Sequence, residues 1–325
     1  MPRSILGYVL RFTGKHQFGL ALLSVAVFLL SAAPLELQRR IVNDAIGKGS
    51  LRTIFWLALT YAAVALVEQS LKLVLNVYRG WVAESSVRTL RNIIQAADIE
   101  SAIALQSRGD AGIEVAMVLE EAEPIGGFTG VSVSEPLLQG GILASVTGYM
   151  VFLNPYLALL GLAFFLPQVV FVPLLQAAIN RRAEARILTK RSISGAIVEG
   201  VAPDGRNWAS QDEPIERVFT LNMGIYKLKY LMNLLMNLMH HLAVAVALCL
   251  GGWMAVEGHI EVGTVVAIVG GLGKLNDPWG DLVNWGRELS VVGVKYGLFA
   301  AAVDRLASAS VQPVGDQLAV DAAQA

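Results

Sequence analysis

The segment "FGLALLSVAVFLLSAAPLEL", residues 18–37, contains a single charged residue, Glu36. About 20 apolar residues in a helix cross the roughly 30 Å hydrocarbon core of a bilayer. The whole chain shares this character, because 55% of its 325 residues are hydrophobic, only 16% are charged and the mean hydropathy is +0.56. Soluble domains carry about 25% charged residues. The composition therefore predicts an all-α membrane protein.

Six stretches are predicted to be transmembrane helices, and the last of them is the least apolar. They are residues 18–37, 54–78, 137–153, 157–179, 234–256 and 264–285. An even number of spans places both termini on the same side of the membrane. We expect one transmembrane domain, residues 1–306, followed by a flexible C-terminal tail, residues 307–325.

The basic residues predict the orientation of these spans. Of the 25 Lys and Arg residues, 19 lie in the terminal segments and the two long connections, and four lie in the connections on the opposite side. Lys and Arg are enriched in cytoplasmic segments. We therefore expect an integral protein of the plasma (bacterial inner) membrane with both termini in the cytoplasm. A net charge of −1 gives no basic surface for nucleic acid, and the single Cys249 allows no disulfide within the chain.

The two long connections have a helical pattern. Val87, Leu90, Ile94 and Ala97 are spaced three or four residues apart, which is typical of an amphipathic helix. Turn-forming residues interrupt the pattern in "SRGDAG", residues 107–112, and in "APDGRNW", residues 202–208. The sequence thus predicts two long helical excursions into the cytoplasm.

Several segments occur in an order and at spacings that together indicate a family. They are "APLELQRRIVNDAI" (33–46), "VRTLRNIIQ" (87–95), "SRGDAGIEVAMVLEEAEPI" (107–125), the glutamates Glu199 and Glu213, and "GHIEVGTVVAIVGGLGKLNDPWGDL" (258–282). This arrangement resembles the transmembrane domain of ABC exporters with the type-1 fold. The resemblance covers about residues 5–306 and rests on order and spacing rather than on any single motif.

The resemblance implies a subunit that forms a substrate pathway by alternating access, paired with a second transmembrane protomer, identical or not. Its substrate would be a small molecule, a lipid or a peptide. The tips of the cytoplasmic excursions would contact a nucleotide-binding ATPase. The residues at those tips are Leu105, Arg108, Asp110, Val201, Asp204, Arg206 and Trp208.

The sequence contains no nucleotide-binding motif of its own. Gly273 and Lys274 resemble part of a phosphate loop, but that motif requires Gly at the position of Ile268 and Ser or Thr at that of Leu275. We therefore expect no ATPase chemistry, no catalytic residue and no cofactor on this chain. ATP and Mg²⁺ would be bound by a separate nucleotide-binding domain or by one that has been removed.

Polar residues inside the predicted spans indicate the substrate pathway. Lys274 and Asp277 would cost roughly 5–7 kcal/mol at a helix centre facing lipid, so they are expected to face a water-filled cavity or other helices. One helical face carries Lys274, Asp277, Asp281, Asn284 and Glu288. Other candidate pathway residues are the i,i+4 pair Glu68 and Lys72, together with Asn237 and His241.

Simpler readings of these residues stay open. Glu68 with Lys72 would then be a buried pair that neutralises itself, and Lys274 with Asp277 a buried ion pair that fixes helix packing. No metal site is expected, because no cysteine or carboxylate stands at ligand spacing from the histidines. The alternative function is a secondary transporter driven by an ion gradient, with Glu68, Asp277, Asp281 and the histidines as proton carriers.

Overall fold

The computed structural model describes residues 2, 4–47, 49–104, 122–199 and 212–309. All regular secondary structure in these residues is helical, as the composition predicts. The helices are α1 (Ile5–Leu30), α2 (Ala33–Ile46), α3 (Leu51–Ala104), α4 (122–131), α5 (Ser134–Leu153), α6 (Pro155–Ala163), α7 (Leu166–Glu199), α8 (Asp212–Val256) and α9 (Val262–Ala309).

Five segments of the described residues are long and apolar enough to cross a membrane, judged by length and composition. They are Ile5–Ile46, Leu51–Ile93, Ala122–Leu153, Pro155–Lys190 and Glu213–Val256. Each contains one of the first five predicted spans. The sixth predicted span, residues 264–285, lies within α9, which does not meet the same criterion. Its crossing of the membrane therefore stays a prediction.

The first apolar segment is divided into two helices. α1 begins at Ile5, well before the predicted span, because the Ser4 hydroxyl accepts a hydrogen bond from the Gly7 amide and caps the helix. α1 ends at Leu30, and Pro34 lies in the first turn of α2. Proline has no amide proton to donate to an earlier turn, so the chain starts a new helix there instead of continuing the first.

The chain divides into two compact units. The first unit comprises Met1–Val146 and Asp277–Ala325, and the second comprises Thr147–Asn276. A hydrophobic core in the first unit joins the start of α1 to α3, α4 and the end of α9. Its buried residues are Ile5, Tyr8, Val9, Leu90, Ala122, Ile125, Phe128, Val292, Tyr296, Phe299 and Val303.

Tyr296 ties the end of α9 to the N-terminus within this core. Its hydroxyl donates a hydrogen bond to the Pro2 carbonyl at 2.9 Å. Burial, with smaller contributions from Tyr8 and Asp304, raises the pKa of Tyr296 to about 12. The phenol therefore stays a donor throughout the physiological range.

The second unit is built on an antiparallel hairpin of α7 and α8. Arg186 donates to Asn222 across this hairpin at 3.1 Å. α6 packs against the other end of α8. At this end Gly251 leaves room for the side chain of Val265, in the first turn of α9. A glycine at this position permits the close helix approach that is typical of membrane proteins.

Candidate functional site

Three helices of the first unit meet at the polar side chains of Arg79, Glu135, Gln139 and Asp281, which we name the polar cluster. Arg79 Nη1 lies 2.6 Å from Glu135 Oε2. Gln139 Nε2 donates to Glu135 Oε1 at 2.8 Å and to Asp281 Oδ2 at 2.9 Å. The polar cluster therefore connects α3, α5 and α9.

Arg79, Glu135 and Asp281 of the polar cluster lie at those ends of the predicted spans that are expected on the same side of the membrane. Arg79 directly follows the second span, Glu135 shortly precedes the third, and Asp281 lies in the last turns of the sixth. The distribution of basic residues predicts that this end is cytoplasmic. The polar cluster thus lies where an inner mouth of a transport pathway is expected.

Local sequence explains how Arg79 is held in the interior. It lies on the buried face of α3 with Leu75 and Val82, and only 9% of it is exposed. Its Nε donates to the Ser134 hydroxyl at 2.8 Å. Glu135 stands in the first turn of α5, where the positive end of the helix dipole stabilises a carboxylate.

The polar cluster has more negative than positive charge and unused hydrogen-bonding capacity. Glu135 and Asp281 are carboxylates, whereas Arg79 is its one cation. Arg79 Nη2 is buried and has no hydrogen-bond partner among the described residues. Chemically, the arrangement suits recognition of a polar or cationic group at Asp281, with Gln139 holding the carboxylate in place.

The predicted polar face of α9 lies mostly away from the protein interior. Asp277 and Asn284 are exposed and Asp281 is half-buried, whereas Leu275 and Pro278 are buried. Lys274 is half-buried and belongs to the second unit. The predicted periodicity therefore agrees with the exposure of α9, and the role of this face in transport stays a prediction.

Glu68 and Lys72 form the ion pair that their spacing predicts, with Lys72 Nζ 2.7 Å from Glu68 Oε1. Glu68 is 5% exposed, and the pair lies on α3 about 10–16 Å from Arg79 by helical rise. It is thus separate from the polar cluster. Both the structural and the transport interpretations of this pair remain open.

The predicted residues of the second unit lie on an exposed face of α8. Asn237 and His241 are both exposed, and His240 beside them is half-buried. The rings of His240 and His241 are 5.4 Å apart between centroids. No group of three or more metal-ligating side chains occurs in the part of the chain that the structure describes.

The predicted contacts with an ATPase lie outside the described residues. Leu105, Arg108 and Asp110 belong to residues 105–121. Val201, Asp204, Arg206 and Trp208 belong to residues 200–211. Their coupling role stays a prediction from the resemblance.

Three residues of the polar cluster were not predicted from the sequence. Arg79 stands at the start of the first long connection between predicted spans, and the sequence assigns no role to it, to Glu135 or to Gln139. The i,i+4 spacing of Glu135 and Gln139 is the local signal for their hydrogen bond. Their contacts with Arg79 and Asp281 join segments that are far apart in sequence, and no local pattern records such contacts.

Comparison of the chain with protein-family models and with curated proteins found no match in either case.

Proposed function

We propose that this chain is the membrane-spanning subunit of an ATP-driven transporter with the type-1 transmembrane fold of ABC exporters. It forms the substrate pathway by alternating access. ATP hydrolysis is supplied by a nucleotide-binding subunit or domain outside these residues. The proposal is motivated by the sequence segments that resemble ABC exporters, from "APLELQRRIVNDAI" (33–46) to "GHIEVGTVVAIVGGLGKLNDPWGDL" (258–282). The lengths of the helices support it.

The observation that carries the proposal is the length of α3, α8 and α9. These helices have 54, 45 and 48 residues. At 1.5 Å per residue they extend over about 80, 68 and 72 Å, against a hydrocarbon core of roughly 30 Å. Helices that continue this far beyond the bilayer are suited to carry a movement from a soluble motor to the membrane.

An exposed apolar face on α8 supports pairing with a second transmembrane protomer. Ile215, Phe219, Tyr226 and Tyr230 share one side of the helix and are 54%, 58%, 49% and 65% exposed. Phe219 precedes the predicted membrane span of α8, residues 234–256, by about 22 Å and Ile215 by more, so lipid tails would not cover these two. A contiguous exposed apolar surface of this kind is typical of protein interfaces.

One observation favours the alternative of a gradient-driven transporter. The polar cluster holds two carboxylates beside one arginine, and membrane-embedded carboxylates with such partners are typical of proton relays. The alternative would be established if the purified chain, reconstituted in liposomes, transports substrate without ATP or another polypeptide and an uncoupler abolishes this transport. The ATP-driven proposal requires transport that depends on ATP and resists the uncoupler.

The proposal is tested by crosslinking at the predicted ATPase contacts. Single cysteines replace Leu105 or Arg206 after Cys249 has been changed to alanine, and membranes are treated with a thiol crosslinker and a photoreactive ATP analogue. We expect an adduct with a polypeptide that carries the ATP label. Matched cysteines at Asn43 and Glu257, on the opposite predicted side, should give none. Labelled adducts from the second pair alone would contradict the orientation and the proposal.

A further inference from the structure

Two exposed basic residues, Arg182 and Lys227, lie on the antiparallel hairpin of α7 and α8 in the second unit. Arg182 closely follows the fourth predicted span, residues 157–179, and Lys227 precedes the fifth, residues 234–256. At 1.5 Å per residue, they are about 5 and 10 Å beyond the ends of these spans. Long basic side chains at such positions extend toward the membrane surface, so both charges are at the level of lipid headgroups.

The side chain of Arg182 crosses from α7 onto the surface of α8. A Cβ atom at Gly224 would lie 3.1 Å from Arg182 Nε and 3.2 Å from its Cδ. Arg182 Nη1 donates to the Ala178 carbonyl at 3.2 Å, one turn nearer to the predicted span. A guanidinium has five N–H donors, and this bond uses one of them. The exposed Arg182 side chain therefore keeps donors for a ligand.

Lys227 stands beside Arg182 on the hairpin. The bond from Arg186 to Asn222 fixes how the two antiparallel helices are aligned. Counted toward the predicted spans from this bond, Arg182 is four residues along α7 and Lys227 is five residues along α8. Lys227 also follows Gly224 by three residues, a spacing that makes side chains neighbours on a helix surface. Both cations therefore flank the same part of the hairpin surface.

The acidic residues closest in sequence on these two helices face elsewhere or lie far away. Glu184 is two residues from Arg182, which places it roughly 200° further round α7. Glu216 is eleven residues before Lys227, about 16 Å along α8. Along α7 and α8, this part of the surface is therefore positively charged, which suits a phosphate group.

An exposed apolar stripe runs from Lys227 into the predicted span. Lys227, Leu231, Leu234 and Leu238 follow at steps of four, three and four, so they share one face of α8. The three leucines are 43%, 62% and 45% exposed. A ligand with a phosphate and an acyl chain fits both parts of this surface, whereas a free phosphate would use only the basic part.

We propose that Arg182 and Lys227 bind the phosphate of an anionic phospholipid whose acyl chain lies along Leu231, Leu234 and Leu238. The distribution of basic residues predicts that this end of the hairpin is cytoplasmic. Basic residues next to a span at that surface attract anionic lipids. The site requires a hairpin inserted in a membrane, whatever drives transport, so it goes beyond the function proposed above.

The test measures lipid binding to the purified full chain in neutral detergent by titration calorimetry. The probes are short-chain phosphatidylglycerol, phosphatidylcholine with the same acyl chains, and inorganic phosphate. We expect saturable binding of phosphatidylglycerol and at least tenfold weaker binding of the other two. Arg182→Gln/Lys227→Gln should lower the affinity for phosphatidylglycerol at least tenfold, because two charge-assisted hydrogen bonds to phosphate are lost.

The matched control, Arg181→Gln/Arg217→Gln, removes two positive charges from the same two helices. Both residues are exposed. Arg181 is roughly 100° from Arg182 round α7, with Glu184 three residues further on, and Arg217 is about 15 Å from Lys227 along α8. The control should bind phosphatidylglycerol like the wild type. An equal loss in the control would show non-specific attraction of the lipid to positive charge and would overturn the proposal.

A further variant keeps both charges but changes the position of Arg182. Gly224→Leu occupies the surface on which Arg182 lies, and leucine favours a helix over glycine, so the fold should be retained. We expect it to lower the affinity for phosphatidylglycerol severalfold. The proposal fails if phosphatidylglycerol does not bind saturably, if phosphatidylcholine or inorganic phosphate binds as tightly, or if Arg182→Gln/Lys227→Gln and Gly224→Leu both bind like the wild type.

Discussion

At the scale of single residues, Arg79 and Glu135 make the strongest prediction about stability. Both side chains are largely buried, and removing one leaves the other charge without compensation. We expect Arg79→Met to lower the free energy of unfolding by about 3–5 kcal/mol, as is typical for breaking a buried ion pair. Adding Glu135→Gln should restore most of this loss. Denaturant titration followed by tryptophan fluorescence measures both changes.

The matched control is the ion pair between Arg91 and Glu123. Its atoms are 2.8 Å apart, but the side chains are 46% and 70% exposed. Exposed pairs contribute about 0–1 kcal/mol, so Arg91→Met should have little effect. An equal loss from Arg91→Met, or no recovery in the Arg79→Met/Glu135→Gln variant, would show that burial of the ion pair is not the cause.

Contacts between single residues were predictable from the sequence only within one helix. The Glu68–Lys72 pair follows from its i,i+4 spacing, and the structure confirms it. The Arg79–Glu135 pair joins two helices that are separated by the first long connection between predicted spans. Which of several charged residues become partners across such a distance depends on packing that spacing alone does not encode.

At the scale of elements, the packing of α4 on α3 depends on glycine. A Cβ atom at Gly130 would collide with the main-chain carbonyl of Arg79, and main-chain atoms cannot move aside easily. We expect Gly130→Ala to separate the helices and to lower the free energy of unfolding by about 1–3 kcal/mol. The same unfolding titration measures the change.

Gly127 on the same helix provides the control. A Cβ atom there meets no atom within 4 Å. Because alanine favours the helix over glycine by about 1 kcal/mol, Gly127→Ala should leave stability unchanged or raise it. If Gly127→Ala destabilises the protein as much as Gly130→Ala, the effect does not arise from the approach of α4 to α3.

The existence of the helices was more predictable than their limits. Five of the predicted spans lie within segments suited to cross a membrane, because apolar length is a direct property of the sequence. The predicted span, residues 18–37, runs through Pro34 because the apolar residues continue on both sides of it, whereas the structure divides the chain there into α1 and α2.

At the scale of the whole molecule, the exposed apolar face of α8 predicts an interface with a second protomer. Lysine at Phe219 or Tyr230 would place a charge in the apolar part of that interface. We expect Phe219→Lys and Tyr230→Lys to raise the dissociation constant of the paired protomers at least tenfold, measured by light scattering in detergent. Thr220→Lys, at an exposed polar neighbour, should leave it unchanged. Equal pairing in all three variants would contradict the assignment of this face.

The pathway is tested by the polar face of α9. Asp281→Asn removes a negative charge but keeps an oxygen that accepts the hydrogen bond from Gln139, so the fold should be retained. If Asp281 contacts the substrate, transport should fall at least tenfold while the unfolding midpoint stays constant. Glu257→Gln, an equivalent change in an exposed turn that is predicted to lie on the outer side, should have no effect on transport.

Chemical access to α9 distinguishes a pathway from packing. Cys249 is exposed, so it is first replaced by alanine. A water-soluble thiol reagent should then modify cysteines at Asp277 and Asn284, which are exposed, but not one at Leu275, which is 2% exposed. Transported substrate should protect Asp277→Cys from the reagent. Were the two polar positions unreactive and Asp281→Asn fully active, the charges on α9 would serve helix packing, and the assignment of the pathway to this face would be wrong.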